Sequence, residues 1–143
     1  MKKFILIITI LIIVISTVIY FFKYKNTGIF IRPNDMANMI VVTSPIKDNQ
    51  ISSPLSIVGR ARGEWYFEGS FPVTLVDLYG NTIASGNVTS QGEWMTKEFV
   101  PFLGTLRFNN FIKNSKGKLI LKKDNPSGDI SKDLSIEIPI IFK

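Results

Sequence analysis

Nineteen consecutive residues, Phe4 to Phe22 (FILIITILIIVISTVIYFF), carry no charge, proline or glycine. At 1.5 Å per helical residue they would span about 28 Å, close to the roughly 30 Å hydrocarbon core of a bilayer. The hydroxyls of Thr9, Ser16 and Thr17 can return to carbonyls of the preceding helical turn. Nothing in the rest of the chain is suited to wrap so uniformly apolar a helix as a buried core element. The expectation is an anchor over 4–22, after a short cytoplasmic N-terminus (1–3) and before a polar linker (23–38).

Two other fates fit the run less well. A cleaved signal peptide needs a small-x-small site, and Ile19, Tyr20, Phe21 and Phe22 fill that zone. A lipoprotein anchor needs a cysteine, which the chain lacks. The aromatic set Tyr20, Phe21, Phe22 and Tyr24 suits the far interface. Lys2 and Lys3, with the free amine, slightly outweigh Lys23 and Lys25, which favours the domain on the outer side.

Charge has to be divided before it is interpreted. Residues 1–39 hold five basic side chains against Asp35 alone, so 5 − 1 = +4 of the net +6 lies near the apolar run. The remaining residues hold twelve basic and ten acidic groups, or +2. Basicity near the run suits anionic headgroups rather than nucleic acid. Lys113, Lys116, Lys118, Lys122 and Lys123 form a further cluster, read as solvated lysines guarding a hairpin's edges. Histidine and cysteine are both absent, which excludes the usual zinc sites, cysteine nucleophiles, histidine bases and disulfides.

From Met39 onward the period changes to two. Short alternating runs are expected as strands at 39–43, 55–61, 72–78, 82–88, 94–99, 105–112, 118–122 and 134–142, with turn residues between them. In the second, Leu55, Ile57, Gly59 and Ala61 share a face; in the last, Leu134, Ile136, Ile138, Ile140 and Phe142 do. Pro139 places that last strand at an edge or a bulge there. No sustained helical spacing appears after the linker, so the fold class is all-β, an antiparallel sandwich of about seven strands at 39–143.

The residues Ile40-Val-Val-Thr-Ser-Pro45, Ile51-Ser-Ser-Pro-Leu55 and Val58-Gly-Arg-Ala-Arg-Gly63 lead into Trp65-Tyr-Phe-Glu-Gly-Ser-Phe-Pro-Val73. Gly92-Glu-Trp-Met-Thr96, Phe99-Val-Pro-Phe102, Asp124-Asn-Pro-Ser-Gly128 and Leu134-Ser-Ile-Glu-Ile138 follow. Together they resemble the bacterial spore germination immunoglobulin-like domain family. The resemblance covers about 40–142 and implies an immunoglobulin-like sandwich in a bacterial envelope protein. It implies no defined ligand.

Glu64-Trp65-Tyr66-Phe67-Glu68 sets aromatic faces beside acids, a pattern suited to stacking on sugar rings. Trp94, next to Glu93, repeats it. The candidate binding surface is therefore Trp65, Tyr66, Glu68 and Trp94. The competing reading makes Trp65 and Phe67 core residues on one strand face, with Glu68 accepting backbone N–H groups. Glu64 and Glu68 as a glycosidase pair would need a cleft that a small sandwich has little room for. Asp124, Asn125 and Asp129 form an oxygen-rich loop better explained by turn capping than by calcium.

The expected protein is a non-catalytic binding or scaffolding domain without cofactor or metal. It is held by one N-terminal transmembrane helix on the extracytoplasmic side of a bacterial cell membrane. Another envelope protein or a cell-wall polymer is the expected partner, and a free sheet edge could recruit a strand. A carbohydrate-binding module and a small hydrolase are the alternatives.

Overall fold

The computed structural model describes residues 14–17, 36–109 and 111–143. Most of the expected anchor and linker lies outside the described residues. Val14–Thr17 is helical, and Thr17 Oγ1 donates to the Val14 carbonyl at 2.8 Å, the return to the preceding turn expected from the sequence. Among the described residues no helix is long and apolar enough to cross a membrane.

Residues from Pro33 to Lys143 form one compact unit, built from eight strands. They are β1 (Ile40–Ser44), β2 (Asn49–Ile51), β3 (Leu55–Arg62), β4 (Ser70–Asp77), β5 (Thr82–Ser90), β6 (Phe99–Leu106), β7 (Lys116–Lys122) and β8 (Ser135–Phe142). Their hydrogen-bonded order is β1-β3-β6-β5-β4-β7-β8-β2. Every pairing is antiparallel except β2 with β8.

β5 makes the corner between the two layers. It pairs with β4 along most of its length, but with β6 only over Val88–Ser90. β1, β3 and β6 therefore form one layer, and β5, β4, β7, β8 and β2 the other. Phe71 on β4 meets Phe102 on β6 edge-on across the interior, with ring centroids 5.1 Å apart. The two outer positions are held by β1 and β2, consecutive strands five and three residues long. So short an edge offers little for a partner strand to pair with.

Alternation does what the sequence promised in β3, where Leu55, Ile57, Gly59 and Ala61 are buried, and in β8, where Ile140 and Phe142 are. β2 reaches β8 only from Ile140 onward. Pro139 thus lies just before the β2 ladder begins, where only its carbonyl is engaged, by Asp48 N at 2.8 Å, and the register with β7 continues through it unbroken. That is the edge placement its missing N–H requires.

The expected strands at 94–99 and 105–112 are corrected. A single strand, β6, spans the interval between them and overlaps their ends at Phe99 and at Thr105 and Leu106, and the segments on either side are loop. Pro101 and Gly104 made that interval look unlike a strand, but Pro101 lies outside the stretch paired with β5. The alternation at Leu106, Phe108 and Ile112 reflects a cap instead. Phe108 is buried, and its N–H is taken by Ser53 Oγ at 2.9 Å rather than by a ladder. Its ring meets Phe111 and Phe142 edge-on, closing one end of the sandwich.

Candidate functional site

The aromatic–acidic residues singled out in the sequence gather at the pole where the chain enters β1. There Arg62 N donates to the Met39 carbonyl, and the 63–69 and 91–98 connections lie side by side. Gly63 allows this approach: a Cβ would collide with the carbonyl oxygens of Trp94 and Thr96.

Trp65 is completely buried and Tyr66 is 4% exposed, so two of the four candidate surface residues are interior. A single 3-10 turn, Gly63–Trp65, carries the tryptophan inward instead of leaving it on a strand face. The rings of Trp65 and Tyr66 both meet Phe71 edge-on, at 5.7 and 5.2 Å. Trp65 Nε1 has no hydrogen-bond partner among the described residues, while its carbonyl accepts from Asp124 N at 3.1 Å. Tyr66 Oη donates to the Val100 carbonyl at 2.7 Å. Burial pushes its phenol up to about 12, against a smaller opposing hydrogen bond from the Ala61 backbone. Val100 and Ala61 face each other across β3 and β6, so the phenol fastens that pair.

Phe67-Glu68-Gly69-Ser70 is a two-residue hairpin turn. Phe67 and Ser70 exchange two backbone hydrogen bonds, and the middle residues have φ of 49° and 74°. Positive φ at both middle positions matches a type I′ turn. Glu68 sits at its exposed tip and, among the described residues, accepts no backbone N–H, contrary to the structural role expected for it. Phe67 is 42% exposed and does not join Trp65 in the core. Half-buried Trp94 lies across Gly69, where a Cβ would stand 3.4 Å from Cδ1. Only Glu68 and part of Trp94 therefore remain of the expected surface, beside a shallow depression whose walls include Glu64, Met95 and Lys97. Glu64 is drawn to Lys123 at 3.5 Å, and Glu68 does not line that depression. Among the described residues Glu64 and Glu68 do not line one depression together.

The oxygen-rich loop is occupied by its own turn. Asn125 Nδ2 donates to the Asp129 carbonyl and to Asp133 Oδ1, both at 2.8 Å. Asp129 accepts from Ser131 N and Oγ, and the Ser131 side chain holds its carboxyl below the usual range. Among the described residues there is no cluster of three or more metal-ligating side chains of the His, Cys, Asp or Glu types.

Two arrangements escaped the sequence. Arg62 donates to the carbonyls of Asn38 and Lys97, both at 3.1 Å, and its guanidinium lies 4.2 Å from the Phe99 ring centroid, with Arg60 at 5.1 Å. The arginine thereby clamps the segment before β1 to the 91–98 loop. At the opposite pole, Leu78, Tyr79 and Ile112 are 66%, 84% and 74% exposed. Large apolar residues inside a turn bracketed by Asp77 and Asn81 were the available signal, since turns seldom carry them without use.

The family model for the immunoglobulin-like domain of bacterial spore germination matches residues 39–129. The chain belongs to this family. The match takes in β1 to β7; β8 lies beyond it and still pairs with β7 from Ser135 to Ile141. Searches among curated proteins and among solved structures found no match.

Proposed function

We propose that this immunoglobulin-like domain is a non-catalytic binding or scaffolding module of the bacterial envelope, anchored by Phe4–Phe22 with its sandwich on the extracytoplasmic side. The fate of the aromatics carries the reading. Trp65 and Tyr66, the richest contact surface in the sequence, are consumed by packing at 0% and 4% exposure. The nearby acid Glu64 answers a lysine instead of facing a second carboxylate. What remains outside is a rigid β-surface with few reactive groups. The family's description supports a role in germination. The uncharged nineteen-residue run supports the anchor.

Two measurements test this. Protease treatment of intact cells is expected to remove the domain; its survival would place it inside and overturn the topology. The purified full-length chain is expected to leave envelope polymers intact. Hydrolysis abolished by Glu64→Gln or Glu68→Gln would overturn the non-catalytic assignment. A peptidoglycan pull-down weakened by Trp94→Ala would return the carbohydrate module to first place.

A further inference from the structure

The pole opposite the chain's point of entry into β1 holds a groove with hydrogen-bonded walls. One wall is the β4–β5 turn. Asp77 fixes it by accepting from Tyr79 N, Asn81 N and Asn81 Nδ2, each at 2.8 Å. The Asn81 side chain is the largest cause of a lowered Asp77 carboxyl, which keeps this clamp charged. The turn is thus locked while Leu78 and Tyr79 point to solvent. The other wall is the β6–β7 segment, pinned to the end of β8. Phe111 stacks on Phe142 at 5.3 Å and 22°, Asn114 N donates to the Phe142 carbonyl at 2.7 Å, and Phe142 N donates back to Ser115 O at 2.9 Å. Between the walls lies a mainly apolar cavity of about 170 Å³ bordered by Leu78, Tyr79, Ile83, Phe111, Ile112 and Phe142. An apolar cavity near 150 Å³ is large enough for one benzene-sized ring.

Unpaired basic groups outnumber acids around the groove. Lys118, Lys122, Lys123 and Lys132 have carboxylate partners at 2.7 to 3.7 Å. Lys116, which borders the groove, has no ion-pair partner among the described residues. The same holds for exposed Lys113, next in sequence to the bordering Ile112. Among the described residues Asp77 is the one acid on the border, and three hydrogen bonds from its own turn engage its carboxylate.

We propose that this groove docks an acidic peptide segment of a partner protein, one aromatic or branched apolar side chain filling the cavity while flanking carboxylates meet Lys113 and Lys116. This deepens the scaffolding function and rests on it. A cavity sized for a single side chain, with both walls held by hydrogen bonds, suits a peptide anchor better than a fluid lipid surface.

The test uses the full-length chain in zwitterionic lipid discs and a fluorescein-labelled peptide, Glu-Asp-Phe-Asp-Glu, followed by anisotropy. Binding is expected, with at least a tenfold weakening when the peptide's phenylalanine becomes serine or the protein carries Leu78→Ser or Ile112→Ser. Lys113→Glu with Lys116→Glu should weaken it similarly and flatten its salt dependence. These side chains are exposed, and an unchanged melting temperature will show that the variants are folded. No binding, or binding indifferent to Leu78→Ser and Ile112→Ser, overturns the proposal. So does displacement of the peptide by phosphatidylglycerol vesicles but not phosphatidylcholine vesicles, which would assign the groove to lipid. In-cell crosslinking separates the two levels. A partner still captured by the Leu78→Ser chain spares the scaffold and sinks the groove, whereas no partner from any face sinks the scaffold.

Discussion

The two poles of the sandwich place their largest aromatic side chains differently. Where the chain enters β1, Trp65 and Tyr66 are inside, Arg62 lies on Phe99, and the lysine nearest to Glu64 is paired with it. At the other pole a hydrogen-bonded turn holds Leu78 and Tyr79 out in water, and Lys113 and Lys116 have no ion-pair partners among the described residues. Interior burial of a large ring contributes several kcal/mol to folding, and an exposed ring contributes almost none. Trp65 and Tyr66 thus stabilise the first pole, which also exposes Phe67 and Met95, while Leu78 and Tyr79 add surface at the second that stability does not explain.

That contrast breaks most easily at Trp65. Trp65→Ala should lower the unfolding free energy by about 3–5 kcal/mol in denaturant titrations, because no solvent can relieve the cavity left beside Phe71. A loss below about 1 kcal/mol would mean that Trp65 packing does not stabilise this pole.

Tyr66→Phe sharpens the comparison at smaller scale. Losing the bond to the Val100 carbonyl should cost about 0.5–1.5 kcal/mol near neutral pH. It should also change the alkaline limb. The folded phenol titrates near 12 against 10.0 for the free group, so the unfolded chain loses its proton first. Stability from this group is complete below pH 10 and declines between 10 and 12. The phenylalanine variant should lack that part of the decline, and thermal melts across that range will reveal it. A parent and variant with parallel alkaline limbs would refute the assignment.

The smallest effect belongs to the far pole. Leu78→Ser should move the unfolding free energy by no more than about 0.5 kcal/mol, since the side chain is largely in water. A larger loss would show that the turn is part of the core, and the contrast between the poles would fade.

Much of the fold was legible. The alternating faces of β3 and β8 are fixed by local chemistry, and Pro139 announced its own edge. β6 was misplaced because Pro101 and Gly104 interrupt its strand-like chemistry, while Phe108 and Ile112 imitate period two in a capping segment. β2 is three residues long, and its pairing is set by the distant β8. The lysine cluster was read as guarding an edge, yet β7 lies between β4 and β8, and only three of its five members are ion-paired. Of the candidate site, the neighbourhood of Trp65 and Trp94 was visible in advance, but not which way the rings turn.

The sequence by itself determined an all-β domain, the inward row of most strands and the Asn–Asp turns, because alternation and turn chemistry act over a few residues. Only the tertiary structure decided that Trp65 is core and Leu78 is surface, and which lysines find carboxylates. Burial and ion pairing depend on neighbours supplied by strands far away in the chain, and no local pattern specifies them.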